Sequence, residues 1–288
     1  MQKKEIIGES DSFDYKTLAS IESENNNIVL SAVFSEAYNN VITMVDKSSH
    51  FVNNDRYLVD EYMIERLKIH DEKAVDIFID SFAKISDKIK HLFNMYNKEN
   101  IIIMTKKHSD STKMAKDNID ANNRDLLGFS FVNDSLDRTF LNADIIPDDL
   151  TENFNEYEAF SRQEYYVNLM AETLCYEAIH ALGNPDDYFY HRTDNAGKLQ
   201  QVEDAIEYIE YFILTGQAFN ERFNYICELY FMSNPVYNGF NIDSLMKPPV
   251  FHQLFLKDSY LSSVIFINNP DTLSLLIRDF SRDHILLL

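Results

Sequence analysis

The stretch Glu172-Thr173-Leu174-Cys175-Tyr176-Glu177-Ala178-Ile179-His180-Ala181-Leu182-Gly183-Asn184-Pro185-Asp186-Asp187-Tyr188-Phe189-Tyr190 governs how the rest of the chain is read. Its apolar residues Leu174, Ala178 and Ala181 continue the spacing of Val167 and Met170, which predicts a helix over residues 163–182. Gly183, Asn184 and Pro185 then stop that helix. Helical positions i and i+4 share a face, so Tyr176 and His180 point the same way with Glu177 beside them. Two carboxylates, Asp186 and Asp187, and the aromatic pair Tyr188 and Tyr190 follow directly.

The chain around this helix is sparing in breakers, with six Gly and six Pro in 288 residues, which predicts a mostly helical protein. Upstream, Ile101-Ile102-Ile103-Met104-Thr105 reads as a short buried strand. Two more strands are expected at Gly128–Val132 and Arg138–Asn142, parted by the turn-like Asn133, Asp134 and Ser135. The polar stretch from Lys106 to Arg124 reads as a loop. Further upstream, Val33, Ala37, Val41, Met44 and Val45 mark a helix over 28–47. A stronger one runs from Asp71 to Tyr96, with Phe78, Phe82, Ile85, Ile89, Leu92 and Tyr96 as its apolar stripe and Asp71 as its N-cap. Residues 1–27 are polar and read as a loosely packed leader. Downstream, a helix is expected over Gln201–Thr215, extending toward Met232, and an amphipathic tail over Asp271–Leu288. Pro235, Pro248 and Pro249 cut the segment between them into short pieces.

Composition narrows the partners. With 47 acidic and 26 basic residues the net charge is −21, which repels nucleic-acid backbones and anionic membranes. The small cluster Lys106-Lys107-His108 makes no nucleic-acid footprint, and no Gly-rich phosphate loop is present. No run approaches the ~18 apolar residues of a membrane span. Cys175 and Cys227 are the only cysteines, so no disulfide framework is expected. The N-terminal residues carry no apolar signal core, so the expected place of synthesis is a reducing cytoplasm.

Chemistry enters through Glu177 and His180. In a zinc-peptidase helix two histidines at i and i+4 hold the metal, and the Glu after the first acts as general base on the metal-bound water. This sequence has that Glu, the second His, a Gly and following carboxylates, with Tyr176 where the first His would stand. The stretch resembles the aspzincin zinc peptidases, the deuterolysin-like and lysine-specific metallo-endopeptidase-like family, and their bacterial effector and toxin relatives. Their pattern is His-Glu-x-x-His, then Gly-Thr-x-Asp, often followed by Tyr-x-Tyr. Asp187-Tyr188-Phe189-Tyr190 is similar to its last part. Gly128-Phe129 through Asn133-Asp134, then Arg138 to Leu141, is similar to the strands before the family's active helix. Glu203-Asp204-Ala205-Ile206-Glu207-Tyr208-Ile209-Glu210-Tyr211-Phe212 is similar to a helix after it. Together these matches span roughly residues 127–215.

The resemblance implies zinc held by His180 and Asp187 with a third group at Tyr176, Glu177 as base, and Tyr190 steadying the oxyanion. Asp186 competes with Asp187 as ligand, since counting from Gly183 favours it. It also implies a protein substrate and a bacterial cytoplasmic origin with delivery into a host cell. The departures are Tyr176 for His, and Asn184-Pro185 in the Gly-Thr turn. A neutral phenol, with a pKa of about 10, is a poor zinc ligand unless the metal depresses that pKa.

Plainer readings stand beside these. Glu177 reads equally as a half-buried helix residue, Asp186 and Asp187 as turn residues, and His191 as a distant replacement imidazole. Cys175 and His180 lie about 140° apart around a helix, too far to form a nucleophile pair. One of Glu207, Tyr208, Glu210 and Tyr211 would buttress His180, or these residues form a solvated face. The expected fold is α+β and mostly helical: a helical region over 1–100, a zincin-like metallopeptidase domain over 101–232 and a helical extension over 233–288, packed as one unit. The expected function is a zinc peptidase with an altered metal site. The alternatives are a pseudo-peptidase that binds a protein partner without cutting it, and a helical structural protein with a coincidental motif.

Overall fold

The computed structural model describes residues 13–23, 28–95, 98–106, 127–130, 138–146, 156–182 and 221–282. It is mostly helical with one small mixed sheet, as the scarcity of Gly and Pro predicts. Among the described residues no helix is long and apolar enough to cross a membrane. The chain divides into two compact units, one of Met1–Thr43 with Ile89–Gly183 and one of Met44–Lys88 with Asn184–Leu288.

Among the described residues the first unit holds four strands: β1 (Phe13–Thr17), β2 (Ile101–Lys106), β3 (Gly128–Ser130) and β4 (Thr139–Asn142). Their order is β1-β2-β4-β3, with β2 and β4 parallel and the outer strands antiparallel to their neighbours. Register places Ile101 beside Thr139 and Ile103 beside Leu141, while Gly128 and Ser130 face Leu141 and Thr139 from β3. Because strand partners share a face, these residues make one side of the sheet. Ile101, Ile103, Thr139 and Leu141 are all buried there. On the other side Phe129 stacks on its partner Phe140 at 4.7 Å, and the Arg138 guanidinium lies 5.8 Å from the Phe140 ring.

Strand β1 differs from the sequence expectation, which left residues 1–27 as a loose leader. Phe13, Tyr15 and Thr17 pair with β2, and the short helix α1 (Leu18–Ser23) buries Leu18 and Ile21. Helix α2 (Ile28–Asn54) is longer than expected, and in this unit it buries Val33, Phe34, Ala37, Tyr38 and Val41. The Tyr38 hydroxyl donates to the Phe93 carbonyl at 2.7 Å. The helix α5 (Glu156–Ala181) buries Val167, Met170, Leu174 and Ala178 as their spacing predicts, and Ala171, Cys175 and Ile179 as well. So much of its circumference is covered that it is a core helix of this unit.

The second unit is helical: α3 (Arg56–Leu67), most of α4 (Glu72–Met95), α6 (Glu221–Ser233), α7 (Ile242–Leu245), α8 (Pro248–Lys257), α9 (Ser259–Ile267) and α10 (Pro270–Ser281). Helix α4 starts where expected, with the Asp71 carboxylate accepting from the Ala74 N–H at 3.0 Å. That backbone bond holds the Asp71 carboxyl below its ordinary range. The buried stripe of α4 is rotated from the expected one. Phe78, Phe82, Ser86, Ile89 and Phe93 are buried, whereas Ile85 and Leu92 are half-buried. Prolines open α8 and α10, whose missing N–H groups cost a helix nothing at its first position. The Phe280 ring of α10 lies 5.0 Å from Tyr62 and 6.0 Å from Phe82, in edge-on contacts.

Candidate functional site

Helix α5 carries Tyr176, Glu177 and His180 beside the outer strand of the sheet. The alignment of the two elements follows from their geometry. Thr173 and Glu177 are four helical residues apart, a rise of about 6 Å. Gly128 and Ser130 are two strand residues apart, about 6.7 Å. The helix and strand therefore meet at both pairs. At the first, a Cβ on Gly128 would stand 2.9 Å from the Phe140 carbonyl oxygen and 2.9 Å from Thr173 Cγ2. Only glycine lets β3 lie this close to α5. At the second, the Ser130 hydroxyl donates to Glu177 Oε2 at 2.9 Å and lies 3.3 Å from the Glu177 carbonyl oxygen.

Glu177 is thus a buried carboxylate, 6 % exposed, held against the edge of the sheet. Burying a carboxylate is costly unless hydrogen bonds replace its water, and Ser130 supplies one. Tyr176 and His180 are half-buried on the neighbouring face. Their ring centroids are 4.6 Å apart at an interplanar angle of 82°, an edge-to-face contact. The shared face predicted from i, i+4 spacing is therefore present, and the two rings occupy it by packing on each other.

Cys175 points into the core, and burial, with Glu172 adding to it, pushes its thiol up to about 12. It is a structural thiol, in keeping with the unfavourable angle to His180. Cys227 is likewise buried and its thiol pushed up by burial.

Asp186, Asp187, Tyr190 and His191 lie outside the described residues, as does the whole stretch Glu203–Phe212. Among the described residues no three His, Cys, Asp or Glu side chains come together as a metal site. The described part of the motif therefore offers zinc one imidazole, and a phenol already packed against that imidazole. This set does not fit the ion as a pair of helical histidines would. Ser130 and Gly128 are the participants that motif reading passes over. Their signal is the alternation in Gly128-Phe129-Ser130, which puts the two small residues on the helix side and Phe129 on the other.

Searches of the chain against family models, curated proteins and solved structures find no match in any of the three.

Proposed function

We propose that the chain carries a zincin-like scaffold related to the aspzincin peptidases, in which the metal site has lapsed and the fold serves to bind a protein partner. The observation that carries this reading is the Tyr176 ring packed on His180 where a zinc peptidase would place a second imidazole. The order of strand β3, strand β4 and helix α5 supports the scaffold, and so does the buried Glu177 facing β3. Among the described residues β3 pairs on one side only, with β4. The other edge of such a strand offers N–H and C=O groups to an extended segment of another protein. A bacterial effector acting on a host protein is the setting that the resemblance implies.

A second reading, an active peptidase with Tyr176 as a ligand, is favoured by the common face of Tyr176 and His180. Incubating the natural protein with unfolded protein substrates and added zinc separates the two. No cleavage is expected, with or without a chelator. Zinc-dependent cleavage that disappears in Glu177→Ala would establish the peptidase instead.

A further inference from the structure

We draw no further inference here: the strongest candidate, the cavity of about 510 Å³ between the ends of α2 and α10 and the start of α3, sets the exposed Asp46 and Asp55 against the exposed Lys47 and Arg282 around Phe51, Leu58 and Phe280, a lining that selects no one class of ligand, and nothing in the structure shows what covers it.

Discussion

Among the described residues each unit buries one carboxylate against a tyrosine- or serine-bearing neighbour, and the neighbours differ. Asp279, on α10 of the second unit, is 8 % exposed. The Arg278 guanidinium donates to its Oδ1 through Nε at 3.0 Å and Nη2 at 2.9 Å, and the Tyr62 hydroxyl donates to Oδ2 at 2.7 Å. This carboxylate is neutralised by a cation and locked between α3 and α10. Glu177, equally buried in the first unit, accepts from the Ser130 hydroxyl at the edge of a sheet. The first arrangement is that of a staple in a core. The second places a carboxylate on the helix that carries the half-buried rings of Tyr176 and His180.

The largest expected effect separates the two carboxylates by stability. Asp279→Ala takes the carboxylate from Arg278 and Tyr62 and should cost about 3 kcal/mol or more, since breaking a buried ion pair is costlier than making it is favourable. Denaturant unfolding monitored in the second unit measures this, and a loss below ~1 kcal/mol would remove the distinction. Gly128→Ala should come next, at roughly 2 kcal/mol, because the added methyl meets backbone oxygen and Thr173 at once. Its unfolding midpoint, compared with that of Gly128→Ser, shows whether the strand yields.

An alkaline titration sharpens the contrast. Burial first, then Asp279, raises the Tyr62 hydroxyl well above its ordinary value. The native state therefore keeps a proton that the unfolded chain gives up near pH 10, and stability is lost as pH rises from there. The slope should be steeper in the natural protein than in Tyr62→Phe by up to about 1.4 kcal/mol per pH unit, and Ser130→Ala should leave it unchanged. Ser130→Ala has the smallest expected effect, about 1 kcal/mol, from the loss of one hydroxyl bond to a buried carboxylate. A neutral result there would mean that Glu177 does not depend on the strand.

Part of this was legible in the sequence. Helix α5 was, because Val167, Met170, Leu174 and Ala178 repeat at 3.6-residue spacing and the core takes them as a stripe. Strands β2 and β4 were as well, through their β-branched and aromatic runs. Strand β1 was hidden in a polar leader, because its pairing with β2 is a long-range choice that local composition does not encode. The stripe of α4 came out rotated because Ser86 is buried where Ile85 was expected, and tertiary packing decides which side faces the core. The contact between Ser130 and Glu177 joins residues 47 positions apart. It depends on the register of β3 against β4 and on Gly128 letting the helix close in, neither of which the motif spacing carries. The partly matched zinc motif was readable as residue types, but the packing of Tyr176 on His180 is a property of the folded helix.

Elemental zinc in the purified protein, measured beside Tyr176→His under identical conditions, tests the lapsed-site account most directly. The account predicts no stoichiometric zinc in the natural protein, and about one ion per chain once the imidazole is restored at Tyr176. Stoichiometric zinc in the natural protein, or none in Tyr176→His, would contradict it.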